Sequence, residues 1–303
     1  MEAIKTTKLT KYYGKARGII DLDLAVEEGE FFGFIGPNGA GKSTTIRTLL
    51  GLLNPSSGSA EVLGKSITGR RTEVLKDVGY LPSEAVFYQG MRVKEVLKLS
   101  ADLRKTDCKA EREKLCERLQ LDINKRVEEL SFGNRKKVGI VCALQHQPRL
   151  LILDEPINGL DPAGIIEIRK LLLKLNQEKN VTILISSHIL TELENIATDY
   201  GFLNKGKLIE QITAEDLKEK CHSYLEIKVT DAAAYTALLE KEMCCTDYKV
   251  LPGGIVHILK HVENVSDYSA LAVKHGIGLL SFEMKEINLE NYYMSLIGAQ
   301  DVQ

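Results

Sequence analysis

The sequence predicts an α/β protein with a largely parallel sheet, followed by a small α+β module. Several apolar runs typical of buried strands each adjoin a pattern with helical spacing: FFGFI (31–35), RLLILD (149–154) and VTILIS (181–186). Strands that alternate with helices usually build a parallel sheet. After about residue 215 the pattern changes to β-α-β-β-α-β, the order of a ferredoxin-like module. The expected domains are therefore 1–214 and 215–303.

Composition argues against several classes of protein. The chain of 303 residues has a net charge of -2, a pI of about 6.4 and 44% hydrophobic residues. This balance argues against a nucleic-acid binder, a polybasic membrane arm and a disordered chain. The segment MEAIKTTKLTKYYGK lacks the apolar stretch of a signal peptide, and no apolar run approaches the roughly 18 residues that span a bilayer. We therefore expect a globular cytosolic protein.

The remaining elements of the first domain follow from local patterns. Residues 1–30 predict short strands joined by turns, with alternating polarity clearest in IIDLDLAV (19–26). Two charged segments with helical periodicity, 92–105 and 108–121, predict a helical insert on the surface. We expect this insert to form a helical subdomain over about 83–145.

The segment GPNGAGKS (36–43) matches the pattern G-x-x-x-x-G-K-[ST] of phosphate-binding loops. It lies between a predicted strand and the helical pattern TTIRTLLGLL (44–53), which the breaker NPSSGS (54–59) then ends. In such a loop, backbone N–H groups surround phosphate oxygens, the lysine reaches the β- and γ-phosphates, and the serine hydroxyl can ligate Mg²⁺. The sequence thus predicts a nucleoside triphosphate site with the candidate residues Asn38, Gly39, Ala40, Gly41, Lys42, Ser43 and Thr44.

A pair of carboxylates follows the second buried strand, in LLILDEP (150–156). Asp154 is placed to hold Mg²⁺ directly or through water, and Glu155 is placed to polarise an attacking water. The same residues would also suit a simple acidic turn ended by Pro156. Beside a phosphate loop, the catalytic interpretation is favoured.

Six short motifs, taken in order, resemble those of the ATP-binding subunits of ABC transporters over residues 1 to about 212. GPNGAGKS resembles the Walker A loop and LLILDEP the Walker B strand. The others are KYYG with its aromatic Tyr13, the LSGGQ-like LSFGN (130–134), the D-loop NGLD (158–161), and ISSHIL with the switch histidine His188. The resemblance implies a P-loop NTPase core of ABC type with an antiparallel β region and a helical insert.

The resemblance implies roles for residues within one subunit. Tyr13 would stack on adenine, and Lys42 would stabilise charge on the transferred phosphoryl group. His188, as a neutral imidazole, would contact the γ-phosphate and the attacking water. Each residue type also has a simpler explanation: Tyr13 could be a packed surface aromatic, and His188 a satisfied polar group at the end of a strand.

The resemblance also implies that two subunits bind head to tail, so that each signature loop closes over the ATP held by the other subunit. Ser131 and the Gly133 N–H would contact the γ-phosphate. Asp161 would bridge to the partner, although its place before Pro162 also suits a helix N-cap.

The chain departs from the family pattern at two places. Phe132 and Asn134 replace a Gly and a Gln of the signature, and we expect the Phe132 ring to point away from the nucleotide and pack on the helical insert. Ser83, followed by Glu84, stands where the family usually has a Gln that senses Mg²⁺. The basic run Arg135, Lys136 and Lys137 is expected to form a solvated helix face.

The resulting expectation is an ATPase that uses ATP and Mg²⁺ to power a transporter, similar to the bacitracin-resistance and multidrug exporter branch. Its expected partners are a separate transmembrane permease, docked around residues 83–105, and a second copy or a related ATP-binding subunit, without nucleic acid. Its expected location is cytoplasmic, on the inner face of the membrane. Two alternatives stay open: a non-hydrolysing regulatory subunit, and a soluble ABC ATPase that acts on nucleic acid or ribosomes.

Overall fold

The computed structural model of the chain describes residues 1–69, 71–190, 193–194, 196–221, 224–259, 264–285 and 289–300. Contacts within the chain divide it into two compact units, Met1–Ala214 and Glu215–Gln303. In these described ranges, no helix combines the length and the apolar character needed to cross a membrane.

The first unit combines two β-sheets with several helices. Its strands are β1 (Glu2–Tyr13), β2 (Ala16–Leu22), β3 (Ala25–Glu27), β4 (Phe31–Ile35), β5 (Ser57–Val62), β6 (Lys65–Ser66), β7 (Val78–Leu81), β8 (Leu150–Asp154), β9 (Thr182–Ser187), β10 (Asp199–Asn204) and β11 (Lys207–Thr213). Its helices are α1 (Lys42–Leu49), α2 (Arg71–Lys76), α3 (Val93–Arg104), α4 (Lys109–Arg118), α5 (Phe132–Leu144) and α6 (Pro162–Lys179), with a short 3-10 helix at Val127–Glu129.

The larger sheet has six strands in the order β11-β10-β4-β9-β8-β7. All neighbouring pairs are parallel except β10 and β11. Every residue of β4, β8 and β9 is buried, which explains why these strands are continuous apolar runs in the sequence. Because parallel strands end at the same edge, the segments that follow β4, β8 and β9 meet there. The predicted α/β class with a largely parallel sheet is confirmed.

The smaller sheet is antiparallel, in the order β2-β1-β5-β6 with β3 also paired to β1. β1 is one long strand rather than a series of short ones, because it pairs along its length with β2, β3 and β5. β5 begins at Ser57, inside the predicted breaker, since Ser57 pairs with Thr10 of β1. The side chains of this sheet form a common core with β4 and α1 that includes Ile4, Val26, Phe34, Ile46 and Leu49.

Helix α1 is shorter than the pattern TTIRTLLGLL suggests, because it ends at Leu49. Gly51 has a φ of 63°, and the Leu52 N–H donates to the Arg47 carbonyl at 2.8 Å. This reversal satisfies the last carbonyls of the helix with a left-handed glycine just beyond its end.

The helical insert contains α3 and α4 at the predicted segments, followed by α5. Arg104, at the end of α3, ties the insert to the sheet region: its guanidinium donates to the Leu75 carbonyl at 2.8 Å and to the Val78 carbonyl at 3.2 Å. Burial lowers the pKa of Arg104 from its ordinary value.

The second unit contains β12 (Tyr224–Val229), β13 (Tyr248–Leu251), β14 (Ile255–Ile258) and β15 (Leu279–Lys285), with helices α7 (Ala214–Lys220), α8 (Ala232–Met243), α9 (Val265–Lys274) and α10 (Leu289–Gln300). The sheet order is β13-β14-β12-β15, and all pairs are antiparallel. Together with the chain order β-α-β-β-α-β, this confirms the ferredoxin-like prediction. Helix α10 is not among the elements predicted from the sequence.

Glu30, just before β4, gives the first unit a pH-dependent stability. Burial raises the pKa of its carboxyl from 4.5 to about 7, and its Oε2 is buried without a hydrogen-bond partner among the described residues. Between these pH values the folded chain keeps a proton that the unfolded chain has lost. The stabilisation is therefore complete below pH 4.5 and is lost as the pH rises through about 7.

We expect Glu30→Gln to raise the free energy of unfolding by about 1 kcal/mol near pH 8, a value reduced for the partial solvent exposure of the group. Near pH 4.5 the substitution should change little. Urea unfolding at both pH values measures the difference, with Glu61→Gln as a control because Glu61 is exposed on β5. An equal stability change at both pH values would contradict the assignment.

Candidate functional site

The candidate site lies at the edge of the larger sheet where β4, β8 and β9 end. The phosphate-binding loop follows β4, Glu155 follows β8 and His188 follows β9. β4 and β8 both pair with β9, so the three segments are neighbours in space. The topology thus brings together residues that are more than a hundred positions apart in the chain.

The loop between β4 and α1 has the backbone of an anion-binding turn. Gly41 is the N-cap of α1 with a φ of 112°, a left-handed conformation that side-chain-bearing residues rarely adopt. Asn38 and Gly39 are exposed at the tip of the loop, whereas Ala40 is buried. The N–H groups of the first turn of a helix have no intrahelical acceptor, so those of Lys42, Ser43 and Thr44 could donate to a phosphate.

Lys42 is almost completely buried, with 5% of its surface exposed. Its ammonium donates to the Gly36 carbonyl at 2.6 Å and to the Pro37 carbonyl at 3.3 Å. It also forms an ion pair with Glu155, with 3.3 Å between Nζ and Oε1. The lysine is therefore held inside the loop by its own chain and by the catalytic candidate.

Glu155 joins Lys42 to His188. The second carboxylate oxygen of Glu155, Oε2, lies 2.6 Å from His188 Nδ1. Because a carboxylate accepts hydrogen bonds, this contact requires a hydrogen on Nδ1. The result is a continuous chain of polar contacts from the Gly36 carbonyl through Lys42 and Glu155 to His188. The sequence predicted these three side chains individually, and the structure places them in direct contact.

The backbone of Glu155 is fixed by Ser186 of β9. Glu155 has a φ of 51°, a conformation that costs a non-glycine residue roughly 1 kcal/mol or more. Its N–H donates to Ser186 Oγ at 3.0 Å and to the Ser186 carbonyl at 3.2 Å. Ser186 is not among the residues predicted from the sequence. Its position in ISSHIL, two residues before the histidine at the end of a buried strand, was the available signal.

Asp154 has the surroundings expected of a metal ligand. It is completely buried, and its Oδ1 accepts a hydrogen bond from Ser186 Oγ at 2.7 Å. Its Oδ2 is buried and has no hydrogen-bond partner among the described residues. An unsatisfied carboxylate oxygen beside a phosphate loop, with the half-buried Ser43 on α1, is a hard oxygen donor set of the kind that suits Mg²⁺.

Tyr13 lies beside the first turn of α1. Its hydroxyl is 3.4 Å from Thr44 Oγ1, and its ring lies close to Gly18. The ring is nearly half exposed. Tyr13 therefore presents an open aromatic surface next to the phosphate-binding loop.

The signature residues lie at the start of α5. Ser131 is the N-cap, and its Oγ accepts a hydrogen bond from the Asn134 N–H at 3.3 Å, which leaves the hydroxyl hydrogen available to donate. Gly133 lies near Leu160 of the D-loop segment. Asp161 is the N-cap of α6, since its carboxylate accepts from the Gly164 N–H at 3.0 Å. Its predicted capping role is confirmed.

Phe132 is 46% exposed, and its ring lies against Gly159. A Cβ atom on Gly159 would be only 2.5 Å from the ring, and its φ is 77°, so this position requires glycine. Phe132 thus packs on the turn that follows β8. Together with the segment 83–86, it also lines a cavity of about 120 Å³. In that segment Ser83 is half-buried and Glu84 is exposed.

The prediction that the basic run forms a solvated face of α5 is wrong for Lys136. Arg135 is exposed, but Lys136 is only 2% exposed, and Lys137 is mostly buried in an ion pair with Glu167 at 2.7 Å. Lys136 Nζ donates to the carbonyls of Glu155 and Asn158. The reason for the error is that these carbonyls come from the turn after β8, which a local helical pattern does not reveal.

Comparison with known proteins assigns a family to this arrangement. The family model described as "ABC transporter" matches residues 19–158. The bacitracin transport ATP-binding protein BcrA of Bacillus licheniformis is 40% identical over 297 residues, which cover 97% of this chain and 97% of that protein. The protein of the same name from Enterococcus faecalis is 35% identical over 97% of this chain and 96% of its own length.

Solved structures give the same result for the fold. A structure described as the ATP-binding subunit of an ABC transporter has a TM-score of 0.66 and 29% identity, and covers 72% of this chain and 92% of that one. A dimeric bacterial ABC transporter cassette, 23% identical, has the same fold with a TM-score of 0.63 over 70% of this chain and 98% of its own. The chain belongs to the ABC transporter family, as an ATPase of the ATP-binding subunits in the branch of the bacitracin transport proteins.

Proposed function

We propose that this chain hydrolyses ATP to power an exporter through closure of a two-subunit sandwich, with the first unit as the ATPase domain and residues of about 83–145 as its helical subdomain. The observation that carries the proposal is the direct contact of Glu155 with both Lys42 and His188. Lys42 provides a cation for the phosphates, and Glu155, beside His188, provides a carboxylate that can activate a water molecule. The likeness to the bacitracin transport ATP-binding protein covers 97% of this chain, so that it extends into the second unit, and it supports a role in transport.

Each side chain of the site has a role in the proposed reaction. Tyr13 stacks on adenine, and the loop from Asn38 to Thr44 holds the phosphates through its N–H groups. Lys42 contacts the β- and γ-phosphates. Glu155 orients and deprotonates the attacking water, while His188 holds that carboxylate from the other side and contacts the γ-phosphate.

Ser43 and Asp154 would hold Mg²⁺. A magnesium ion bound there would neutralise charge on the phosphate oxygens. The buried, unsatisfied Oδ2 of Asp154 is the observation that supports this site.

The partner in the closed sandwich is a second copy of the chain or a related ATP-binding subunit. Ser131, exposed at the positive end of α5, and the Gly133 N–H would contact the γ-phosphate of ATP bound to the partner. Asp161, exposed at the start of α6, would face the same interface. The symmetric head-to-tail arrangement completes each site with residues of the other subunit.

A separate transmembrane permease would dock at a cleft of about 1370 Å³ in the first unit. The proposed location of the chain is then the cytoplasmic face of the membrane, where the permease would hold it. The cleft is bordered by residues of the helical insert and of the sheet region, among them Tyr80, Tyr88, Met91, Leu99 and Leu103. Tyr88 and Leu103 are mostly exposed. An open, largely apolar cleft of this kind suits a short amphipathic helix of a membrane subunit.

The proposal is tested by the mass of Glu155→Gln protein in solution with and without Mg-ATP, measured by light scattering. We expect a monomer without nucleotide and a dimer with it, because ATP that is not hydrolysed holds the sandwich closed. Tyr13→Ala in the same background should shift the dimer to higher ATP concentrations. A monomer at saturating ATP, with binding confirmed, would contradict closure by identical subunits.

A further inference from the structure

Lys136 lies one turn into α5 and is one of the most deeply buried charged residues of the described chain. Its ammonium donates to the carbonyl oxygens of Glu155 and of Asn158, the latter at 3.1 Å. Burying an ammonium is costly unless it is hydrogen-bonded. These two carbonyls belong to the turn that carries Glu155. They therefore hold the Lys136 side chain in one place.

Lys136 and Ser186 bind different peptide groups of Glu155. Ser186 accepts from the Glu155 N–H, and Lys136 donates to the Glu155 carbonyl. Both peptide groups that flank the Glu155 Cα atom are thus tied to neighbouring elements, β9 on one side and α5 on the other. This is the kind of support that a residue with a φ of 51° needs to keep its conformation.

Phe132 covers the ammonium. The Lys136 Nζ atom lies 5.4 Å from the centre of the Phe132 ring, within the range of a cation–π contact. The same ring lies on Gly159, in the turn that also contains Asn158. The departure from the signature pattern therefore places an apolar ring between a buried charge and solvent.

We propose that Lys136 is a positioning residue for ATP hydrolysis: it fixes the turn 155–159, and through it the carboxylate of Glu155, while Phe132 shields this contact from water. The inference rests on the proposed role of Glu155. It goes further in assigning a function to Lys136 and to the unusual Phe132, neither of which acts on the nucleotide directly. Because Ser131 is the N-cap of α5, the same lysine ties the signature to the catalytic turn of its own chain.

Lys136→Met removes the donors and keeps most of the side-chain volume. We expect kcat for ATP hydrolysis to fall roughly 10- to 100-fold, since small displacements of a catalytic group have effects of this size. The KM for ATP and the affinity for a fluorescent ATP analogue should stay within about twofold, because the loop after β4 is untouched. Lys136→Gln, whose amide keeps two N–H donors, should recover part of the loss.

Lys137→Met is the matched control, because it removes the same charge one position along α5 without touching the turn 155–159. It breaks the ion pair with Glu167 and a hydrogen bond to the Leu119 carbonyl. Its kcat should equal that of the wild type. A purely structural role for Lys136 would lower the unfolding temperature without changing kcat per folded molecule, and that result, or wild-type kcat in folded Lys136→Met, overturns the proposal. If Lys136→Met does not fold, Phe132→Ser decides, since this side chain is partly exposed: a severalfold lower kcat at unchanged KM supports the proposal, and wild-type kcat overturns it.

Glu155→Gln, measured alongside, separates this inference from the proposed function. Hydrolysis at the wild-type rate in Glu155→Gln would remove Glu155 from catalysis, whatever Lys136 does. An inactive Glu155→Gln protein together with a fully active Lys136→Met protein would overturn the positioning role alone.

Discussion

Lys42→Ala is expected to weaken ATP binding by about 30-fold to a few thousandfold. Removal of one partner from a buried, hydrogen-bonded charge pair costs roughly 2–5 kcal/mol, and in the loaded site the partner of Lys42 is the phosphate chain. Adenine stacking on Tyr13 and the backbone N–H groups of the loop would remain. The residual affinity should therefore be weak but measurable.

Titration with a fluorescent ATP analogue measures this loss. Lys94→Ala is a suitable control, since it removes the same charge from an exposed position on α3. A folded Lys42→Ala protein with the nucleotide affinity of the wild type would count against the whole site. The reason is that this ammonium is the cation that the motif is expected to supply to the phosphates.

Glu155→Gln is expected to lower kcat by about 10²–10⁴-fold, the usual effect of losing a positioned general base. ATP binding should be retained or become tighter, since the carboxylate that competes with phosphate for Lys42 is removed. Phosphate release at saturating ATP measures the first effect, and the analogue titration measures the second.

The exposed Glu178→Gln on α6 controls for the change of charge. A Glu155→Gln protein that binds ATP and hydrolyses it near the wild-type rate would remove Glu155 from the mechanism. If the Glu155→Gln protein lost both ATP binding and hydrolysis, Glu155 would instead be needed for the shape of the empty loop.

Much of the fold could be read from the sequence where burial on both faces forces a continuous apolar run. β4 was predicted residue for residue, and β8 and β9 within one residue, for this reason. Elements that depend on partners were harder to predict. The length of β1 is set by pairing with three other strands, and the start of β5 within NPSSGS is set by Thr10.

The site shows the same division. Lys42, Asp154 and Glu155 could be identified because their chemistry requires particular residues directly after particular strands. Lys136 could not, since it acts through the Glu155 carbonyl, and a backbone carbonyl leaves no trace in the sequence. Ser186 binds the Glu155 N–H, and its place in ISSHIL was the one signal that could have pointed to it. A lysine in a basic run on a helix is usually solvated, and only the fold shows that this one points inward.

The ion pair between Lys42 and Glu155 also affects the stability of the protein when no nucleotide is bound. Each turnover must pass through a form without nucleotide, in which the ammonium of Lys42 would be a buried cation with no counterion. Glu155, only partly exposed itself, supplies that counterion at 3.3 Å. The carboxylate assigned to activate the attacking water thus also protects the nucleotide-free chain from the cost of an unpaired buried charge, which would otherwise favour its unfolding.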